Sequence, residues 1–249
     1  MGVKPGMMAA ALALLTGCTT ATVGTARLAA LANPSRPASD TARDGKQKAS
    51  ELMAFAGIAP GQTVADMLPG GGYWTRLFSQ VVGPRGKVFA VLARPSADAP
   101  ASTNPIPAKA IAAGPAFHNV TAIESSFTMM SLPAKVDLFW TSRNYRDFYR
   151  QGRETARAIS KAIYDNMKPG GLLVIVDHAA SPQMALADQT KLGRIDPAVV
   201  KADVVAAGFL FAGESDVLAN PADDHLRIII DPAIMDHTDQ FVFKFRKPR

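Results

Sequence analysis

Cysteine is almost missing: Cys18 is the only one in 249 residues. A disulfide within the chain is therefore excluded, whatever the compartment. Aromatic residues are few, at 7%, while alanine is plentiful, a balance that suits helices packed on a sheet. The apolar start at residues 7–15 is too short for a permanent membrane span, which takes about 20 residues. A dense run of one charge is missing too. Lys and Arg number 27 against 21 Asp and Glu, for a net charge of +6, but the basic residues are scattered. Only residues 244–249 are locally basic, so nucleic acid is not expected as a partner. Attraction to anionic lipid is the simpler use of the excess charge. Neither an internal repeat nor a second domain is visible.

The first residues read as an address. Lys4 and the amino terminus form a basic region, and the apolar run follows it. It ends in Leu15-Thr16-Gly17-Cys18, which resembles a bacterial lipobox. Cleavage would fall before Cys18, whose thiol would carry a diacylglycerol. Residues 1–17 are then a lipoprotein signal peptide. Residues 18–39, rich in Ala, Thr and Pro with no acid before Asp40, read as the lipidated cysteine and a flexible tether. Residues 40–249 form the domain. The expected location is the periplasmic side of the envelope. Thr19 rather than aspartate follows the cysteine, which points to the outer membrane.

Within the domain, Asp40 is placed to cap a helix over residues 42–55. Short apolar strands then alternate with helices. Strands are expected at 63–67, 87–92, 120–124, 136–141, 172–177, 210–214 and 241–246. Helices are expected at 73–82, 108–114, 152–167 and 197–207. Residues 172–177 are almost wholly apolar, as in strands covered on both faces. Such alternation predicts a doubly wound α/β sheet.

The richest motif is Val64-Ala65-Asp66-Met67-Leu68-Pro69-Gly70-Gly71-Gly72-Tyr73-Trp74-Thr75, between a strand and a helix. Glycines there permit a tight turn and a close approach of backbone to ligand. The helix start offers free amides to a polar group. No Gly-Lys-Ser/Thr follows, so this is not a Walker loop. A plain tight turn, or close helix–strand packing, fits the same residues.

At this motif the chain resembles class I S-adenosylmethionine-dependent methyltransferases. The resemblance includes Lys168-Pro169-Gly170-Gly171, a turn before the strand Leu172-Leu173-Val174-Ile175-Val176-Asp177-His178. It runs from about Asp40 to the C-terminus and is closest to a group of exported predicted bacterial methyltransferases. Two further shared pieces are Arg194-Ile195-Asp196-Pro197-Ala198-Val199-Val200 and Asn220-Pro221-Ala222-Asp223-Asp224-His225. The resemblance implies a Rossmann-like, mostly parallel seven-stranded sheet. It implies S-adenosylmethionine as cofactor, with Asp66, Pro69, Gly70, Gly71, Gly72 and Tyr73 around its methionine part. An acid usually meets the ribose at the end of the second strand, but here the segment is Val91-Leu92-Ala93-Arg94, with no acid until Asp98. Ser126 stands where an acid commonly meets the adenine, and Glu124 is the nearest substitute. Each lost charged acceptor costs about 1.5–3 kcal/mol of binding.

Methyl transfer relies mainly on orientation and needs a base only for a protonated nucleophile. The ends of strands four and five carry the candidates. Asp147 would orient substrate or accept a proton, Tyr145 would wall the methyl pocket, and His178 would be a base titrating near neutrality. A solvated loop and a satisfied histidine are the bland alternatives. His225 and His237 stand beside acids, but the spacing matches no strong metal-ligand pattern. The expected function is S-adenosylmethionine-dependent methyl transfer to an acceptor the sequence does not identify, a small molecule or a lipid-adjacent one. The alternative is a lapsed methyltransferase-like lipoprotein that binds another ligand or an envelope partner.

Overall fold

The computed structural model describes residues 23–95 and 105–249. The signal peptide, Cys18 and Asp98 lie outside the described residues. Seven strands form one sheet: β1 (Thr63–Met67), β2 (Lys87–Ala93), β3 (Val120–Ser125), β4 (Val136–Ser142), β5 (Met167–His178), β6 (Leu210–Ser215) and β7 (Gln240–Arg246). Their order is β3-β2-β1-β4-β5-β7-β6. The first five run parallel, and β7 is antiparallel to both β5 and β6. This is the doubly wound seven-stranded sheet that the alternation predicts.

Strand side chains alternate between two faces, and each face has its own core. Val64, Val88, Leu138, Trp140, Val174 and Val176 point one way. There they meet α4 (Ala49–Ala56), α5 (Tyr73–Val82) and α6 (Pro107–Ala113). Ala65, Met67, Phe89, Val91, Phe139, Leu173 and Ile175 point the other way. They meet α7 (Arg153–Asp165), α9 (Pro197–Ala206) and a 3-10 segment, Tyr145–Gln151. A short α8 (Leu186–Lys191) precedes α9. Asp196 caps α9 by accepting from the Ala198 amide at 2.8 Å, with Pro197 at the first helical position.

Three expectations change. Residues 23–31 are helical (α1), so the described part of the expected tether is packed on the domain. Ala30 is buried in the core, Arg27 Nε donates to the Ile58 carbonyl, and Arg36 pairs with Asp44 at 2.5 Å. A composition rich in Ala, Thr and Pro concealed these contacts. A short α2 (Ala38–Thr41) follows, and the single helix expected over 42–55 is broken in two, α3 (Asp44–Gln47) and α4, with Lys48 left-handed between them at φ 49°. Asp40 does not cap it; it is buried and accepts from Arg76 Nε at 2.7 Å. The Lys168–Gly171 turn lies inside β5 as an irregularity: β4 advances from Val136 to Leu138 while β5 advances from Met167 to Leu172. Gly170, at φ +79°, makes that excursion, and its amide donates to Lys247 O.

After β6 the chain makes a long excursion before β7, and one ion pair fastens it. Arg194 and Asp223 are both buried and joined through two hydrogen bonds, at 2.8 and 3.0 Å. Arg194 also donates to the carbonyls of Ala179 and Arg227. The two shared sequence pieces are thus one structural unit. Removing one partner of such a pair strands a buried charge, at about 3–5 kcal/mol. Asp223→Ala is expected to lower unfolding stability by that amount in urea denaturation, and to speed amide exchange across residues 216–239. A loss below about 1 kcal/mol would mean the excursion is held by other contacts.

Candidate functional site

The sheet order turns back at β1: the chain leaves it for β2 on one side and later returns to β4 on the other. In open α/β sheets the crevice at that switch point, past the carboxyl ends of the strands, receives ligands. Here it lies between the loop after β1 and Ser142–Asn144 after β4. Two non-glycine residues there are left-handed, Leu68 at φ 52° and Arg143 at φ 61°. Such backbone costs on the order of 1–3 kcal/mol and persists only when its surroundings impose it. They do so here. The Leu68 amide donates to Val91 O and the Arg143 amide to Val176 O. Asn144 Nδ2 donates to Met67 O and Leu68 O, at 3.0 and 3.3 Å, and clamps the two loops together.

The glycines divide their roles. Gly72, at φ +81°, faces inward, where a Cβ would stand 2.1 Å from Ile111 Cδ1. Its absence of side chain serves packing against α6. Gly70 and Gly71 face outward, and a Cβ on either would meet nothing within 4 Å. They leave open a crevice of about 290 Å³ at the start of α5. Pro69, Gly70, Gly71, Tyr73 and Trp74 line one side, Ser142 to Asn144 another, and Arg43 and Gln47 come from the N-terminal helices.

Asp66 does not line this crevice. It is buried and accepts from Thr75 Oγ at 2.6 Å, tying the end of β1 to the first turn of α5. Burial pushes its carboxyl up to about 7, with the Thr75 hydrogen bond opposing. The nearby acids are also engaged. Tyr73 Oη donates to Asp44 Oδ1 at 2.7 Å, and Arg36 forks onto the same carboxylate. Arg76 joins Asp40 and donates to Gly71 O at 2.8 Å. The charged groups lining the crevice are two arginines, Arg43 and Arg143.

The expected adenine contacts sit apart from it. Glu124, at the end of β3, is paired with Lys109 at 2.5 Å. Ser126 is 3.3 Å from Thr128 Oγ1. Neither lines the crevice.

The catalytic candidates are placed differently from expectation. Tyr145 is fully buried in the core on the far side of the 3-10 segment, its hydroxyl against Ser160, so it walls no pocket. Burial also pushes that phenol up. Asp147 faces solvent beside Arg150 and Arg146, at 3.3 and 3.9 Å. Asp177, which sequence reasoning left without a role, holds this segment: it accepts from the Arg146 amide and guanidinium at 2.9 and 2.8 Å. His178 is buried with Nδ1 2.7 Å from Thr238 Oγ1. Burial, then Arg146, Arg143 and Arg194, push its pKa down to about 2. A neutral imidazole so reluctant to take a proton is a poor base.

His178 instead lines a second cavity, of about 410 Å³, at the ends of β5 and β7. Arg143 belongs to both cavities and forms the partition between them. The other walls include Lys46, Asn220, Met235, Asp236 and Gln240. Arg43, Lys46, Arg143 and Gln240 escaped the sequence reading. Arg143 belongs to the polar segment after β4, Ser142 to Tyr149, where substrate was expected, but was given no role of its own.

No protein-family model matches the chain, and no curated protein matches it by sequence. Its structure has close parallels. It superposes on a SAM-dependent methyltransferase from Aquifex aeolicus with a TM-score of 0.57, at 16% identity over 82% of this chain and 92% of that one. The cyclase SpnF gives 0.61, at 14% identity over 82% and 80%. A possible exported protein from Bordetella parapertussis gives 0.53, at 16% identity over 84% and 68%. The chain has the class I methyltransferase fold. A cyclase among the parallels is a reminder that this fold does not by itself fix a reaction.

The buried Asp66 generates a pH prediction. Its folded pKa of about 7 exceeds its ordinary 3.8, so the folded protein keeps a proton that the unfolded chain releases. Stability from this group is present below about pH 4 and is lost as pH rises through 7. Asp66→Asn keeps the shape and an acceptor for Thr75 without that loss. Between about pH 4 and pH 8 it is expected to gain on the wild type by on the order of 4 kcal/mol in urea denaturation. A difference constant with pH would show that Asp66 ionises freely in the folded state.

Proposed function

We propose that this protein is a methyltransferase that binds S-adenosylmethionine in the glycine crevice and acts on a small-molecule acceptor. One observation carries the reading. At the switch point of a class I methyltransferase fold, Gly70 and Gly71 leave an unobstructed crevice at the start of α5. Pro69, Tyr73 and the loop amides would hold the methionine part. The cofactor supplies an electrophilic methyl group, and the chain supplies orientation and exclusion of water. Nucleic acid is not the proposed acceptor, since the basic residues form no dense run.

We also propose that the domain is exported and anchored through Cys18, facing the periplasm from the outer membrane. A neighbour in structure is called a possible exported protein. Among the described residues no helix is long and apolar enough to cross a membrane. With α1 packed from residue 23, the link to Cys18 spans at most about 15–20 Å. The domain would stand close to the lipid surface.

A specific observation favours the second reading, a lapsed domain that binds another ligand. Arg43 and Arg143 line the crevice where a cationic sulfonium would enter, and among the described residues no carboxylate stands at the end of β2. S-adenosylmethionine is also not made outside the cytoplasm.

Calorimetric titration of the full-length protein with S-adenosylmethionine and S-adenosylhomocysteine separates the two. Binding in the micromolar range is expected. Gly71→Val should abolish it while leaving thermal stability within about 1 kcal/mol, because its side chain enters open space. A folded wild type that binds neither compound at millimolar concentration would exclude the methyltransferase.

A further inference from the structure

The cavity behind Arg143 has a charge and a shape that the proposed reaction does not yet use. The arginine, lysine and carboxylate on its walls are Arg143, Lys46 and Asp236, and His178 and His237 line it too. Lys46 and Asp236 pair with each other at 2.5 Å; Arg143 feels Asp177 and Asp236 at longer range, but among the described residues no carboxylate is in ion-pair contact with it. His178 adds no charge, since it stays neutral. Arg143 is fixed, because its Nε donates to Gln240 Oε1 at 2.8 Å. Gln240 lines this cavity and not the glycine crevice. Among the described residues the two Nη amines of Arg143 make no hydrogen bond, and they form the fork that matches a carboxylate. Leu218, Ile229 and Met235 supply apolar wall to the same cavity.

We infer that the acceptor is a monoanionic carboxylic acid with an apolar body, its carboxylate held by Arg143 in the cavity beside the glycine crevice. The inference rests on the methyltransferase reading for the word acceptor; the binding site itself stands on the cavity alone. One guanidinium with no carboxylate in contact, and with acids nearby, matches a carboxylate better than a doubly charged phosphate. The volume suits a body of roughly ring size with substituents, at the lower end of small-molecule sites. The carboxylate is the handle by which the molecule is oriented. Arg143 forms the partition, so a molecule held by it lies next to anything bound in the crevice.

The test needs no cofactor. Benzoate, benzyl alcohol and phenyl phosphate are titrated into the full-length protein by calorimetry. Benzoate is expected to bind in the millimolar range or tighter, with benzyl alcohol about tenfold weaker or more. Phenyl phosphate is expected to bind no more tightly than benzoate. Arg143→Gln should abolish benzoate binding, and Arg143→Lys should retain part of it. Met235 is half exposed, so its variants fold whatever becomes of Arg143. Met235→Glu should weaken benzoate, and Met235→Lys should strengthen it. Absence of benzoate binding, equal binding of the alcohol, tighter phosphate, or indifference to both positions would overturn the site. S-adenosylmethionine is titrated in parallel. Its loss in Arg143→Gln would assign the guanidinium to the cofactor and overturn the inference. If the wild type binds benzoate but no S-adenosylmethionine, the role of acceptor falls with the methyltransferase and the carboxylate site remains.

Discussion

A parallel strand pair cannot be closed by a tight turn, and this sheet winds outward from β1 in both directions. That constraint organises the molecule. The connections leaving β1 and β4 must part, because β2 and β5 lie on opposite sides. They leave a gap lined by loop backbone at the carboxyl edge. The left-handed backbones of Leu68 and Arg143 sit at its two margins. Asn144 spans it, donating to two carbonyls of the opposite loop. The crevice is therefore a consequence of topology, and its stiffness a consequence of one amide side chain.

Electrostatics at this edge follows from where the acids are spent. Asp66 secures the start of α5, Asp177 secures the 3-10 segment, Asp40 and Asp44 hold Arg76 and Arg36, and Asp223 holds Arg194. Each carboxylate is turned to structure. The arginines left facing space are Arg43 and Arg143, so the cleft is cationic although acids crowd around it. A count of charges along the chain could not reveal this, because the sign of a cleft depends on which partner of each pair is turned inward.

The sheet was legible because its signal is local. Apolar runs such as Leu172 to Val176 and the glycine turn after Asp66 carry their own periodicity and turn chemistry. Pro69, Gly70, Gly71 and Tyr73 were legible as crevice residues for the same reason. Asp66 and His178 were read correctly as lying at strand ends, and Tyr145 as following one, but not in direction. Whether Asp66 meets a ligand or Thr75 depends on a rotamer, and whether His178 meets water or Thr238 depends on a segment sixty residues later. Arg43 and Lys46 were invisible for a different reason. They reach the site only because the segment expected as one helix over 42–55 breaks at Lys48, and its first part folds over the crevice.

A cationic cleft and a cationic cofactor pose a physical conflict, and the partition at Arg143 offers its resolution. On the proposed reading a sulfonium must approach a fixed guanidinium. Two unit charges 4 Å apart near a protein surface repel by about 4 kcal/mol. An acceptor carboxylate bound first on the other side of Arg143 would neutralise that charge before the sulfonium arrives. The same contact that orients the acceptor would then remove the repulsion against the cofactor, so each would tighten the other's binding. Such coupling would make cofactor capture tighter on protein already carrying an acceptor than on the empty cleft. The arginines that argue against the cofactor in the empty cleft would then be the means by which the acceptor admits it.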